Sequence, residues 1–481
     1  MNINPFFFTF SRFFGLVIYM KQAIESSEKQ VRGLALGLMA LVFIGLIIVF
    51  SFVSTYAAIF LASIVCAFFI FLIYPRFGLY LTILALPVIN WNFYIRGLVI
   101  PLVDVLAGIN FFAFSARSLY LKLFTKTEPL QFPQFALFLA FTLSAIISAF
   151  FAPSFATSFW YTIRWIVFLY AAFIFVPVNV IKSKQTLRNS LICFFVSATL
   201  VAFMGIISLF FQDWQNTFVR IVPVQVFGIF PIGDNQNLIA EFLVIAVFFA
   251  FALREWIKSS LGRKLITVMG ILFALVAIGT FSRAAWITLL FQGSLYVVAQ
   301  SKAFRQRFII PLLLGLVIMI PLGFYMFEIQ SAFSIGVSST ENRWLMTQIA
   351  GRAWLDSPLF GKGSGEFINL VADDIRFRAQ YGDPLDSHGL WQKILAENGL
   401  AGILTFAMFL SALSVSVWRS MRRLSQSAKN MALPIILGAA GGLLFQFFNT
   451  SYYKGKVWVP IALALAAVAI LENKNGIFKK N

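Results

Sequence analysis

The sequence predicts an all-α polytopic integral membrane protein of about 12–14 transmembrane helices with one large helical outer loop. Three observations lead there. The chain is 60% hydrophobic and 17% aromatic but only 11% charged, with a mean hydropathy of +0.88, whereas soluble domains are about half apolar and about a quarter charged. Apolar runs of about 17–25 residues, long enough to cross a bilayer, recur along the chain. Short basic loops separate them, and 37 Lys and Arg stand against 18 Asp and Glu, a net charge of +19. Most of that excess belongs to loops on the inner side of the membrane. A share is available to an anionic lipid-linked ligand and to membrane lipids, and no nucleic-acid partner is expected.

Cys66 and Cys193 both lie within apolar runs and read as small buried hydrophobes. With one histidine and no cysteine cluster, no metal site and no cofactor are expected. The N-terminus, MNINPFFFTFSRFFGLVIYMK, lacks an initial basic region and a small-residue cleavage site, so no cleavable signal is expected. Its Phe-rich, Arg-punctuated pattern suits a segment lying along the membrane surface.

Taken in order, the expected spans are 34–53 and 56–74, a turn at Arg76, then 79–91 and 98–114 around an outer loop carrying Arg96. Arg117, Lys122 and Lys126 return the chain to the inner side, and 132–151 and 159–175 form a pair. After Lys182, Lys184 and Arg188 come 191–211 and 238–252, then 265–280 and 284–298 about the tight turn FSRA. The span 309–327 exits, 400–417 re-enters before the basic WRSMRRLSQSAK, and 431–448 and 457–471 close the chain. Lys454 and Lys456, on an outer loop, break an otherwise consistent charge alternation. The resulting divisions are an inner or interfacial N-terminus (1–33), a transmembrane bundle (34–327), a large outer loop (328–398), C-terminal spans (399–471) and a basic inner tail (472–481). No internal repeat is evident, which counts against the two-fold architecture of secondary transporters.

The outer loop carries helix punctuation. Ser339 and Thr340 with Glu341 mark a helix start, Leu345, Ile349 and Ala353 share one face, and Ser357-Pro358 ends the helix. A second helix is expected from Asp383-Pro384, or from Asp386 as cap, to Asn398-Gly399. GKGSGEF (361–367) lacks the spacing and the strand–helix context of a phosphate loop and reads as a tight turn.

His388, the one histidine, falls in the first turns of that second helix. It is the chain's only side chain whose ordinary pKa lies near neutrality, and Asp386 is placed to fix its tautomer. A general base for an acceptor hydroxyl is the role this suggests. Arg343 and Arg352 lie on opposite faces of a helix of about 3.6 residues per turn, so only one of them can face a given ligand. Arg376 and Arg378 read as a solvated charged face. Arg283, held between two spans with almost no loop, is costly to keep there and is a functional candidate by default; Arg164, within a span, follows with less force. Guanidinium groups match phosphate oxygens as bidentate donors. Asn235 and Glu241, at another outer boundary, could bind sugar hydroxyls or buttress an arginine.

Four motifs occur in order: SR at the tight turn, NRW opening a helix, SPLFGKGSGEF after it, and SHGLWQKILAENGLAGIL leading into a span. Over residues 233–404 this pattern resembles the O-antigen ligase and O-antigen polymerase superfamily of bacterial envelope membrane proteins. The resemblance implies a GT-C-like membrane glycosyltransferase of the inner membrane. It would act without a metal on the periplasmic side, moving a glycan from undecaprenyl pyrophosphate to a glycan or lipid A-core acceptor. Arg283 and Arg343 would contact the donor pyrophosphate and His388 would be the base, with Arg164, Asn235, Glu241 and Asp386 around them. Arg352 is not in the matched position. The family commonly has Asn after the histidine, where this chain has Gly389. The competing class is a flippase or transporter of lipid-linked oligosaccharide, which charges at the midplane of many spans would favour.

Overall fold

The computed structural model describes residues 33, 37 and 45, and then 55–95, 98–124, 129–214, 218–300, 302–332 and 335–472. Residues 1–32 of the expected N-terminal segment, the expected span 34–53 apart from 37 and 45, Arg96, Lys126 and the last nine residues of the tail lie outside these. Among the described residues, eight helices are long and apolar enough to cross a membrane, and three shorter apolar ones accompany them. Strands are confined to one hairpin. The protein is an all-α, multi-pass membrane protein.

Two compact units divide the chain: Met1–Leu81 with Val105–Gln131, and Thr82–Asp104 with Phe132–Asn481. The first contains α1 (Thr55–Ile73), most of α2 (Pro75–Ala85) and most of α3 (Leu102–Phe124). Pro75 lacks an N–H, so α1 stops before it and α2 starts on it. Arg117 of α3 donates to the Leu72 carbonyl at 3.2 Å.

Expected span 79–91 is cut short at Ala85, and the one expected at 98–114 forms four residues later, as α3. Helix α2 ends at Ala85, short of Pro87, because proline disfavours helical backbone in the residue before it. The following NFYI and LVIP, rich in aromatic and β-branched residues, pair as an antiparallel hairpin of β1 (Asn92–Ile95) and β2 (Leu98–Pro101). Periodicity alone does not distinguish such short apolar runs from helix.

The remaining helices of the second unit follow the expected spans closely. They are α4 (Phe135–Ala149), α5 (Phe155–Val180), α6 (Lys184–Ser208), α7 (Gln236–Arg254), α8 (Ser260–Gly279), α9 (Arg283–Ala299) and α10 (Lys302–Ala332). Later in the chain come α14 (Leu390–Arg423), α15 (Gln426–Phe445) and α16 (Gly455–Glu472). Ser154, Ser183, Asn235, Ser259 and Ser425 cap α5, α6, α7, α8 and α15, each side chain accepting a free N–H of the first turn. Helix α5 is irregular, with π-helical turns at Thr162–Val167 and Ala171–Phe175.

Between α10 and α14, α11 (Ile335–Asp356) is followed by the short α12 (Phe367–Asp373) and α13 (Ile375–Tyr381). Leu345, Met346, Ile349, Ala350 and Ala353 of α11 pack on Phe367, Val371, Phe377 and Ala396. This segment therefore has a small core of its own, which fixes the rotation of α11.

Helix α14 is broken at Gly399, where φ is 62°. The SPLFGKG segment stitches the break: Lys362 N and Gly363 N donate to the carbonyls of Ala396 and Glu397 at 2.9 and 3.0 Å. In return Leu400 N and Ala401 N donate to Pro358 and Leu359 carbonyls at 2.9 and 3.0 Å. The crossing is so close that a Cβ at Gly399 would lie 2.5 Å from the Leu359 carbonyl carbon, and one at Gly361 2.4 Å from that of Glu397. The glycine-rich segment is thus a helix-break clamp; its amides at 362 and 363 are committed and cannot cradle a phosphate.

Candidate active site

Arg343 and Arg352 separate as their helical faces require. Arg352 is exposed and bonds Asp374 at 2.5 Å, with Arg376 on the same carboxylate at 3.5 Å. Burial acts upward on Asp374. The hydrogen bonds from Arg352, Phe377 N and Arg376 outweigh it and hold the carboxyl below its ordinary range. Arg343 lies instead on the half-buried side of α11, and its Nε is buried with no hydrogen-bond partner. Arg283, first residue of α9, reaches toward the start of α11, with Nη2 3.5 Å from Thr340 Oγ1. Burial, then the charge of Arg283, lower the pKa of Arg343. Among the described residues neither guanidinium has a carboxylate partner, so two like charges are held together with an unused donor between protein and solvent. An anion is what such a pair lacks.

His388 lies within the field of Arg343 but not on a helix. Helix α14 begins only at Leu390, later than either expected start, because Ser387 organises a turn. Its Oγ takes the Gly389 N–H at 3.1 Å and directs its own proton at the Gly389 carbonyl (2.8 Å) and Gln392 Oε1 (3.2 Å). Thr450 Oγ1 donates to the Ser387 carbonyl, and Leu390 N to the Gln446 carbonyl at 2.9 Å. The half-buried imidazole makes no hydrogen bond among the described residues. Burial, then the field of Arg343, push its pKa down to about 4, with Asp386 opposing. At neutral pH it is the neutral form, able to accept a proton.

Asp386 does not orient that ring. Its carboxylate holds Lys393 Nζ at 2.6 Å and the Tyr453 hydroxyl at 3.4 Å, and takes the Ser387 N–H at 2.8 Å. Lys393 is 2% exposed and also pairs with the fully buried Glu397 at 3.0 Å. Glu397 Oε1 accepts the Phe367 N–H at 3.2 Å, and Ser148 donates to the Glu397 carbonyl. Lys393 thus ties the histidine turn to the clamp at Gly399. Sequence reading did not single it out, although Lys393 and Glu397 stand at the i, i+4 spacing of a helical ion pair.

The other expected contacts divide. Arg164 sits in the π-helical turn of α5 with its guanidinium 4.5 Å from the Trp165 ring centroid, and donates to the Val99 carbonyl of β2. Trp165 packs on Tyr453 at 4.9 Å, which leads on to Asp386. Asn235 spends its side-chain oxygen capping α7, accepting Asn237 N at 2.8 Å. Glu241 cannot reach a sugar: it is fully buried and binds Lys456 Nζ at 2.8 Å, with Gln446 Nε2 and Asn449 Nδ2 each at 2.9 Å. That pair explains one break in the charge alternation, since Lys456 neutralises a carboxylate inside the protein. Lys454 is pushed down to about 8 by burial and the neighbouring Lys456, against Glu241, Asp104 and Asp386.

Compared with known proteins, residues 268–407 match the family described as O-antigen ligase. The matched stretch runs from within α8 into α14 and so includes Arg283, Arg343 and His388. No curated protein matches the chain.

Proposed function

We propose, from the match of residues 268–407 to the O-antigen ligase family, that this chain transfers a glycan from a polyprenyl pyrophosphate to an acceptor hydroxyl. The match supports glycan transfer of the ligase or polymerase type and a place in polysaccharide biosynthesis. The donor, the site residues, the inner membrane and the periplasmic side of the outer loop are the present reading. The observation that carries it is the grouping of Arg283 and Arg343, cations without carboxylate partners among the described residues, with a neutral His388.

In this reading the acceptor oxygen attacks the anomeric carbon of the donor sugar as its bond to the pyrophosphate oxygen breaks. His388 takes the acceptor proton. Arg343, through its unpartnered Nε, and Arg283 neutralise charge growing on the departing pyrophosphate. That leaving group is already activated, so the steps assigned here draw on protein side chains alone. Bringing an anion to Arg343 offsets the field that depresses His388 and strengthens the base when the donor is present. Lys393, Asp386 and Ser387 act by holding the turn.

The test is transfer by purified protein from a synthetic undecaprenyl-pyrophosphate oligosaccharide. Loss of transfer in Arg283→Ala, Arg343→Ala and His388→Ala, with Arg352→Ala active at equal expression, supports the assignment. Activity in Arg343→Ala with loss in Arg352→Ala reverses it.

A further inference from the structure

Helices α14, α15 and α16 enclose a cleft of about 370 Å³, within the usual range for ligand sites, whose lining includes none of the residues assigned to glycan transfer. His388 precedes the break in α14 at Gly399, whereas the cleft lies along the helix after it, from Leu410 to Met421. The walls are apolar, with Leu413, Val417, Trp418, Leu433 and Ile461 among them. The one hydroxyl, Ser414, is turned back onto the Leu410 carbonyl at 2.9 Å. A ligand in this cleft has hydrocarbon to bury, and the Trp418 indole N–H is the one side-chain donor left along the walls.

The end of the cleft is different. Lining residues Leu410, Ser414 and Trp418 follow one another at i, i+4 on α14, and Arg422 continues that stripe by one more turn. Its guanidinium lies 4.3 Å from the ring centroid of Trp418, so the cation is fixed over a wall residue of the cleft. Arg419, nine residues after lining residue Leu410, lies on the opposite face of α14. Arg423 is satisfied by Glu472 at 3.0 Å, but Arg422 makes no ion pair among the described residues. An apolar slot with the uncompensated Arg422 guanidinium at its end complements an amphiphile with an anionic head.

We propose that this cleft binds an anionic phospholipid, one acyl chain lying along α14 and its phosphate on Arg422. The charge complementarity selects this occupant over a zwitterionic lipid, and over a second copy of the chain, whose own basic excess would be repelled. The site is separate from glycan transfer and does not rest on the activity assigned above.

Trp418 is the reporter. The full-length protein in detergent is titrated with brominated phosphatidylglycerol and with brominated phosphatidylcholine. The Trp418 component is the difference in fluorescence quenching between wild type and Trp418→Phe, which keeps an aromatic ring under Arg422. Half-maximal quenching is expected at about tenfold lower phosphatidylglycerol, a preference that shrinks as salt rises, disappears in Arg422→Gln and survives in Arg419→Gln. Ser414→Phe, which fills the slot from an exposed position, is expected to reduce quenching by both lipids. Equal quenching by the two lipids in wild type overturns the proposal. So does displacement of the brominated lipid by undecaprenyl phosphate more strongly than by phosphatidylglycerol, or a Trp418 shielded from lipid by a second copy of the chain.

Discussion

Gln392 Nε2 donates to Thr347 Oγ1 at 2.5 Å, joining the first turn of α14 to the middle of α11. Each partner is engaged on its other side. Thr347 Oγ1 donates to the Arg343 carbonyl at 2.8 Å, and Gln392 Oε1 faces the Ser387 hydroxyl at 3.2 Å. A short chain of hydrogen bonds therefore runs from the residue carrying the proposed phosphate-binding guanidinium to the turn carrying the proposed base. The spacing of Arg343 and His388 is set by this bridge as well as by the packing beneath it.

Removing the bridge is expected to act on positioning. A hydrogen bond of this kind contributes about 1 kcal/mol net, so Gln392→Leu and Thr347→Val should each lower kcat by roughly five- to tenfold, with Thr347→Ser close to wild type. Because both act on one bond, the double variant should be no worse than either single one. Additive losses in the double-mutant cycle would show that the two residues act separately.

The Glu241–Lys456 pair is expected to dominate stability rather than chemistry. Both side chains are buried, and breaking such a pair by removing one partner costs about 3–5 kcal/mol. Lys456→Met should therefore lower the thermal midpoint of the detergent-solubilised protein sharply. Adding Glu241→Gln, which removes the orphaned charge and keeps an acceptor oxygen for one of the two amide donors, Gln446 and Asn449, should recover part of the loss. A Lys456→Met protein of unchanged midpoint would remove this ion pair from the stability account.

The clamp at the break in α14 gives a third expectation. Gly399 has a positive φ, for which an L side chain costs about 1–2 kcal/mol, and a Cβ there would strike the Leu359 carbonyl carbon at 2.5 Å. Gly399→Ala should destabilise by more than the dihedral cost alone and lower the yield of folded protein. Gly382→Ala is the control: its φ is also positive, at 76°, but nothing lies within 4 Å of the added carbon.

Much of this architecture is legible in the sequence because bilayer length and loop charge are local properties. Runs 238–252 and 457–471 fall within α7 and α16, 265–280 overruns α8 by one residue, and Asn398-Gly399 marks the break where it occurs. The hairpin at 92–101 is not legible, since apolar strands and short apolar helices share a composition. At the site, the opposed faces of Arg343 and Arg352 follow from helical period alone. The partners of Asp386 and Glu241 do not, because Tyr453, Lys456 and Asn449 arrive from the far end of the chain. Lys454 and Lys456 did carry a signal: their charges contradicted the loop rule, and one of them proves to be inside.

The pH profile is the most direct test of His388. Its pKa is pushed down to about 4, below the ordinary imidazole value, by burial and then by Arg343. A base works in its unprotonated form, and lowering the pKa extends that form to lower pH. Transfer should hold steady from neutral pH down to about 5, then fall as the ring protonates near 4. The limb in kcat/KM reports the free enzyme and that in kcat the donor complex. A pyrophosphate on Arg343 offsets the field acting on the ring, so the kcat limb should lie at higher pH than the kcat/KM limb. Arg343→Gln removes the same field permanently, moving the kcat/KM limb upward toward the ordinary value and closing the gap between the two. Asp386→Asn removes the one contribution that raises the pKa and should move the limb the other way, provided Lys393 still holds the turn. His388→Gln should abolish the limb along with a factor of about 10²–10⁴ in rate. A wild-type limb near pH 6.5 that ignores both charge substitutions would place the titrating group elsewhere than in the field of Arg343.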